Sequence, residues 1–290
     1  MTRLRVALLV PDSAYADPWA WAYDVEAAIL QRIGIDVVPV PWTTISDVRD
    51  FDLIMPLVAW GYDRDYQRWL ALLTRAEVER WPMLNPPELL RWNGDKTYLR
   101  ELGDKGIPSV ATAEVTSLDP NSLARAGAKL GATDLVIKPP ISGGAFGTYR
   151  IRPSDPIPAD VAGRRMLVQP FQPTITAGEW SLMLFGGKFS HAVLKTPAAG
   201  DFRVQPHLGG IDTAAVPPKG AIELATAALA AAPLPALYAR VDLIAAANGA
   251  LKIMELELIE PALFLHHSPD KGAGFASAVR AAAAATAGGK

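Results

Sequence analysis

Four charged residues between Tyr238 and Glu260 have the types and spacing for metal and phosphate chemistry. The stretch reads Tyr-Ala-Arg-Val-Asp-Leu-Ile, a short turn, then Lys-Ile-Met-Glu-Leu-Glu-Leu-Ile-Glu. Both arms are rich in β-branched and apolar residues and predict two strands. Between them, Asn248-Gly249 is a strong hairpin signal, because both residues tolerate positive φ. A two-residue loop there pairs Ala247 with Ala250, Asp242 with Glu255, and Arg240 with Glu257. Side chains alternate along a strand, so Arg240, Asp242, Glu255 and Glu257 share one face. Paired Cβ atoms lie roughly 4.5–5.5 Å apart, close enough for one cation to touch several carboxylates. Like charges placed opposite each other are destabilising, so three carboxylates and one arginine call for a counter-ion. Hard oxygen ligands suit Mg²⁺, which keeps waters and takes few carboxylates plus substrate phosphates. The same pattern also fits the solvated outer face of an edge hairpin.

A second candidate is Asp134-Leu-Val-Ile-Lys138 running into Pro-Pro-Ile-Ser142-Gly143-Gly144-Ala-Phe-Gly147. Glycines let a loop fold over an anion and aim N–H groups at it, and a lysine adds a point charge. The lysine precedes the loop, so a conventional P-loop is excluded. A flexible hairpin, with Tyr149–Ile151 as its second arm, is the plainer reading. Arg203 lies in a loop with Gly209-Gly210 that could hold a phosphoryl group or be an ordinary surface turn. Asp95 is placed to N-cap a helix, which would aim Lys96 at an anion near the helix start. His266 and His267 are adjacent and are expected not to share one face, which argues against a metal role for the pair.

These groups need a scaffold. Leu4–Val10, Asp36–Val40 and Phe51–Val58 read as strands. Helices are expected from Asp17-Pro18 to Gly34 and over Asp63–Trp81. This β-α-β-β-α order predicts an open, mostly parallel sheet. It lacks Gly-x-Gly-x-x-Gly after the first strand, so no dinucleotide fingerprint is present. Ligands of such sheets bind beyond the carboxyl ends of the strands. That makes Asp12 and Trp60-Gly61-Tyr62 candidate substrate contacts, although the two aromatics fit a core cap equally well. Asn85-Pro86-Pro87 marks a domain edge. Further strands are expected at Met166–Phe171, Trp180–Leu184 and Phe189–Lys195, and helices over Ala221–Ala232 and Gly274–Ala285.

The chain of 290 residues is long enough for two domains. Its net charge of −2 gives no basic field for nucleic acid or an anionic membrane. The absence of cysteine removes disulfides, thiolate catalysis and Cys-ligated metals, and fits the cytoplasm. The first apolar run is too short for a secretory core and ends at Pro11-Asp12 without a cleavage site. No stretch sustains the ~18 apolar residues that span a bilayer.

Taken in order, the motifs resemble those of the ATP-grasp superfamily. They are Asn93-Gly-Asp-Lys96-Thr-Tyr-Leu, Gly106-Ile-Pro, Ile137-Lys138 with its glycine-rich loop, Gln169-Pro-Phe171 and Gly178-Glu179-Trp-Ser181. The Arg203 loop, Arg240-Val-Asp242 and Glu255-Leu-Glu257 complete the series. The likeness is to small glutathione-synthetase-type members and, among those, to cyclo-ligases that form D-cycloserine. It implies an α/β and α+β fold: a Rossmann-like domain over residues 1–95 and a two-lobed ATP-grasp domain over 96–290. A small lobe would run from 96 to 170 and a catalytic lobe from 171 to 290. Lys96 and Lys138 would contact ATP phosphates, with Ser142, Gly143, Gly144 and Gly147 as the flap. Gln169 and Phe171 would meet adenine, and Glu179 the ribose. Asp242, Glu255 and Glu257 would hold Mg²⁺, with Mn²⁺ as a substitute. Arg203, Arg240 and Lys195 would be the catalytic cations. Glutathione synthetases carry Glu-x-Asn where this chain has Glu255-Leu-Glu257, so the site is more acidic. The implied reaction is a ligation through an acyl phosphate on a small amino-acid-like carboxylate, within one molecule in the cyclo-ligase case. A kinase that stops at phosphoryl transfer, and a non-catalytic Mg-nucleotide-binding module, are the alternatives. A homodimer is compatible with the sequence.

Overall fold

In the computed structural model, which describes residues 3–287, the first apolar run forms β1 (Arg5–Val10). Met1-Thr2 and residues 288–290, at the outer ends of the two expected domains, lie outside the described residues. Val6 to Leu9 are fully buried because β1 is the centre of a three-stranded parallel sheet. The helix α1 (Ala20–Arg32) leads to β2 (Asp36–Pro41), and β3 (Leu53–Met55) leads to α2 (Tyr66–Val78). The order is β2-β1-β3, and the pairing is parallel, as the β-α-β-β-α pattern predicts. β3 is shorter than the expected Phe51–Val58, because the chain turns at Pro56, whose carbonyl accepts from Ala59 N–H.

The break at Asn85-Pro86-Pro87 is also a helix start, since proline is favoured in the first turn. It opens α3 (Pro87–Gly94), which sequence reasoning missed, and α4 (Tyr98–Asp104) follows. Asp95 does not cap α4 as expected. It lies outside the first turn, its Oδ1 accepting from Thr97 N–H at 3.0 Å and its Oδ2 from Arg165 at 2.6 Å.

A four-stranded antiparallel sheet comes next, built from β4 (Ala113–Val115), β5 (Leu135–Lys138), β6 (Tyr149–Ile151) and β7 (Met166–Pro170). Its order is β4-β7-β5-β6, with α5 (Pro120–Leu130) packed on it. Asp119 and Ser122 close a reciprocal capping box at the start of α5. The third sheet contains β8 (Glu179–Phe185), β9 (Lys188–Thr196), β10 (Ile211–Ala214), β11 (Tyr238–Ala245) and β12 (Leu251–Glu257) in the order β10-β9-β8-β11-β12. The helix α6 (Ala221–Ala230) packs on it, and α7 (Ala273–Ala287) returns to lie against α1 and β3. Through Phe275, Val279 and Ala283, the core of the first sheet is continuous with Met183, Phe185 and Tyr238 of the third.

The β11–β12 hairpin corrects one expectation and keeps another. The loop is not Asn248-Gly249 alone: Ala245 pairs with Leu251, leaving Ala246 to Ala250 in the turn. That register would separate the charged pairs, but a bulge beyond Leu243↔Ile253 inserts Met254. Asp242 therefore still pairs with Glu255, and Arg240 with Glu257.

β12 is the outer strand of its sheet, and its free edge is covered group by group. Pro108 carbonyl accepts from Ile253 N–H at 2.8 Å, and Ile253 carbonyl accepts from Val110 N–H at 2.9 Å. The Tyr98 hydroxyl accepts from Leu256 N–H and donates to Leu256 carbonyl. Asn93 Nδ2 donates to Leu256 carbonyl at 2.6 Å, and its Oδ1 accepts from Leu258 N–H at 2.8 Å. Asn85 Nδ2 bridges the carbonyls of Tyr238 and Leu258, at 2.9 and 2.7 Å. Replacing Asn93 by alanine would orphan the Leu258 N–H, at about 1–3 kcal/mol, and leave the Leu256 carbonyl with Tyr98 alone, at about 1 kcal/mol. Asn93→Ala should therefore destabilise the protein by about 2–4 kcal/mol in urea unfolding. An unfolding midpoint equal to wild type would show that the clasp contributes nothing.

Candidate active site

The third sheet gathers the expected charged side chains on one face. β8 supplies Glu179 and Ser181, β9 supplies Lys195, and the hairpin supplies Arg240, Asp242, Glu255 and Glu257. Asp242 is the hub. Its Oδ1 accepts from Ser181 Oγ at 2.5 Å and from Arg240 Nε at 3.0 Å. Its Oδ2 accepts from Lys195 Nζ and from Arg240 Nη2, both at 3.0 Å. Burial works against the charge, yet Arg240 and Lys195 hold Asp242 well below the usual carboxylate range. Lys195 Nζ also donates to Glu179 Oε1 at 2.5 Å. Glu179 thus sits inside the charge network, on the side of the sheet where the resemblance puts phosphate chemistry.

Arg240 also donates to Glu257 Oε1. Its charge is largely claimed by Asp242, which leaves Glu257 under-compensated. Burial, with Glu255 and Asp242 adding like charge, pushes Glu257 up to about 7 against the pull of Arg240. Arg240 itself is raised, because it serves both carboxylates. Glu255 is penalised by burial but drawn below its ordinary value by Lys96 and Lys138.

Lys96 and Lys138 reach this face from outside the sheet. Lys96 Nζ donates to Glu255 Oε1 at 3.2 Å and to the Ser142 carbonyl at 2.5 Å. It therefore ties the glycine-rich loop to the hairpin. The side chain of Lys138, at the end of β5, is largely covered, and its ammonium donates no hydrogen bond among the described residues. Burial lowers its pKa, and Glu255 only partly restores it. An ammonium that donates no hydrogen bond to the protein is free to meet an anion.

The loop after Lys138 has the geometry of a flap. Gly144, Ala145 and Gly147 take positive φ, and a side chain at Gly147 would strike Pro139, with Cγ at 2.9 Å from the added Cβ. Gly143 N–H donates to Asp63 Oδ2 at 3.0 Å, so the flap is held from the first sheet. Asp63 adjoins the expected Trp60-Gly61-Tyr62 and was missed. Tyr62 itself is buried against Trp69 and Tyr66, the core reading, while Trp60 meets Trp21 at 5.6 Å. Asp12 holds a loop by accepting from Thr43 Oγ1 and Ala14 N–H. Glu260 was also missed. Burial and the like charges of Glu257 and Asp63 push it up to about 8.

Gln169 and Phe171 lie at the end of β7. Gln169 is buried with Nε2 donating to Thr112 Oγ1 at 2.8 Å. The Phe171 ring is covered by the Arg150 guanidinium at 3.7 Å and met edge-on by Phe202. Arg203 does not join the cluster here. Its Nε and Nη2 are both bound by Asp201, at 3.1 and 2.9 Å. His266 and His267 depart from expectation as well: both Nε2 atoms approach Asp212 Oδ2.

No family model matches the chain. It is 30% identical over 284 residues to the cycloserine biosynthesis protein DcsG of Streptomyces lavendulae, covering 86% of this chain and 89% of that one. It is 28% identical over 196 residues to a glutathione synthetase of Prochlorococcus marinus (strain MIT 9313), covering 62% and 60%. The crystal structure of D-cycloserine synthetase DcsG matches with a TM-score of 0.84 and 25% identity, over 96% of this chain and 99% of that one. D-Alanine–D-alanine ligase from Bacillus anthracis shares the fold, with a TM-score of 0.70 at 18% identity over 98% and 97%.

The chain belongs to the ATP-grasp superfamily. It is an ATP-grasp ligase, and ATP and Mg²⁺ are the cofactors that the family implies. The donor set fits both. Glu255 and Glu257 each keep one oxygen without a protein partner among the described residues. Mg²⁺ commonly takes one or two carboxylates and completes its shell with phosphate and water. Both oxygens of Asp242 accept from Ser181, Lys195 and Arg240, so joining Glu255 and Glu257 on the ion would mean sharing or giving up one of those donors.

Lys138 gives one test. Lys138→Met should weaken Mg-ATP binding about tenfold or more, since a charge-assisted hydrogen bond contributes about 1.5–3 kcal/mol. It should change the melting temperature of the nucleotide-free protein little, because the ammonium makes no hydrogen bond in the fold. Calorimetry and a thermal melt check both halves, and unchanged affinity would refute the assignment.

The second test is pH. A carboxylate binds metal only when deprotonated, so below about 7 Mg²⁺ must displace the Glu257 proton. Mg²⁺ affinity should rise with pH up to about 7 and then level off. Calorimetry in two buffers of different ionisation enthalpy should count the released proton. Glu257→Gln should abolish the release.

Proposed function

We propose that this ligase activates a small amino-acid-like carboxylate as an acyl phosphate. It then passes the acyl group to an amine or similar nucleophile, with both groups on one substrate molecule. The observation that carries the reading is the Lys138 ammonium, which donates no hydrogen bond to the protein, beside the two open carboxylates of the hairpin. The similarity to DcsG along most of both chains supports the ring-closing form.

The substrate carboxylate attacks the γ-phosphorus, the bond to the β,γ-bridging oxygen breaks, and ADP leaves. Lys138 holds phosphate oxygens, and Lys96 couples that contact to the flap through Ser142. Arg240 and Lys195, fixed by Asp242, supply positive charge where the carboxylate and phosphoryl oxygens meet. Glu255 and Glu257, with Asp242 behind them, would hold Mg²⁺, which would supply positive charge to the transferring phosphoryl group. The flap keeps water from the acyl phosphate. The nucleophile then attacks the acyl carbon, and phosphate departs with the C–O electron pair. With both ends held in one site, ring closure gains an effective-molarity advantage. Gln169 and Phe171 are assigned to adenine, and Glu179 to the ribose, which it would reach by releasing Lys195. Arg203 joins the phosphoryl group only after leaving Asp201. Mn²⁺ would replace Mg²⁺ on the same oxygens, and the cytoplasm is the expected compartment.

The test is a screen of amino acids and small carboxylic acids for stimulated ADP release, with free phosphate measured in parallel. A ligase gives ADP, phosphate and a dehydrated product in equal amounts. Phosphate retained on a stable product would establish a kinase instead.

A further inference from the structure

The pair His266-His267 lies outside the chemistry described above, and its geometry is unusual for neighbours in sequence. Successive residues of a 3-10 turn point about 120° apart. Here Leu265–His267 form such a turn, entered through Phe264 at φ +46. The turn is pinned from β9, where His191 Nε2 meets the carbonyls of Leu263 and Phe264 at 3.0 and 3.1 Å. As a result the two imidazole rings lie 4.1 Å apart. Both Nε2 atoms converge on one oxygen of Asp212, at 2.8 Å from His267 and 3.4 Å from His266. Among the described residues, this is the one group whose three ligand atoms all lie within 4.8 Å of each other.

We propose that Asp212, His266 and His267 form a second metal site, for a Zn²⁺-class transition ion and distinct from the Mg²⁺ carboxylates. Zn–N bonds are about 2.0–2.1 Å, so tetrahedral ligand atoms sit about 3.3 Å apart. The two measured separations bracket that value. Two imidazoles and one carboxylate favour a borderline transition ion over Mg²⁺, which prefers an all-oxygen shell. His266 has 62% of its side chain exposed, so an ion can enter from solvent and keep water in its remaining position. The three ligands come from β10 and from the segment that follows β12. A bound ion would cross-link them beside the network, because Asp212 pairs directly with Lys195.

The experiment uses tag-free, chelator-treated full-length protein titrated with Zn²⁺ in saturating Mg²⁺ by calorimetry. Co²⁺ absorption in the visible region reports the coordination geometry. The expected result is one Mg²⁺-resistant equivalent per chain, with the intense bands of a tetrahedral site. His266→Ala and His267→Ala should each weaken it about tenfold or more. The exposed His266 makes the first variant safe for folding, as a thermal melt without metal will show. No Mg²⁺-resistant binding, or wild-type binding in both variants, would overturn the site. Either result leaves the ligase reading untouched, because that rests on Lys138 and the hairpin.

Discussion

The site depends on how the edge of β12 is closed. An open strand edge presents unpaired N–H and C=O groups and is free to slip or to recruit another strand. Here that edge carries Glu255 and Glu257, so any slip would move charge away from Arg240 and Lys96. The chain prevents this with side chains as well as backbone. Asn93 and Tyr98 bond to Leu256 and Leu258, and the Pro108–Val110 segment pairs with Ile253. The motif Asn93-Gly-Asp-Lys96-Thr-Tyr98 therefore does two jobs. Lys96 reaches the charged face at Glu255, while Asn93 and Tyr98 fix the register of the strand that Lys96 addresses.

Within that frame the charges are ordered by competition for Arg240. Asp242, buried on β11, wins most of it and is also bonded by Lys195 and Ser181. Glu257, nearer solvent, shares the same guanidinium and is left with a proton affinity near neutrality. A metal ion relieves that imbalance more completely than another arginine could, because it brings two charges to the oxygens that Glu255 and Glu257 leave free. Lys138 is the complementary case, a cation beside Glu255 that donates no hydrogen bond to the protein. Together they define a gap shaped by charge for a metal–phosphate group.

Much of this was legible in the residues. Alternation along Tyr238–Glu260 placed four charges on one face, and the β-α-β-β-α order gave the first sheet. The hairpin turn was misread, because local turn chemistry favoured Asn248-Gly249 while the bulge at Met254 depends on packing against the rest of the sheet. The pairing survived because the longer loop and the bulge offset each other. Asp95 fails as a cap because Arg165 and Thr97 claim its oxygens, and Arg165 lies 70 residues away in sequence. The convergence of His266 and His267 was invisible for a similar reason. It needs the left-handed Phe264 and the distant His191, neither of which a helical or strand period encodes. The capping box at Asp119 and the proline start of α3 were readable signals that went unused.

The flap links the first sheet to the reaction. Gly143 N–H is an anion-seeking donor, and in this structure a carboxylate oxygen of Asp63 takes it. That oxygen stands where a phosphate oxygen of the same charge could sit. If a nucleotide takes this N–H, Asp63 must let go, and the flap exchanges a tie to the first sheet for one to the ligand. The released Asp63 carboxylate then lies near Glu260, whose proton affinity is already raised by Glu257 and by Asp63 itself. Both carboxyls gain from a cationic group arriving between the sheets. Asp63 thus joins the glycine-rich loop to the acidic pair of Glu260 and Glu257 through one side chain.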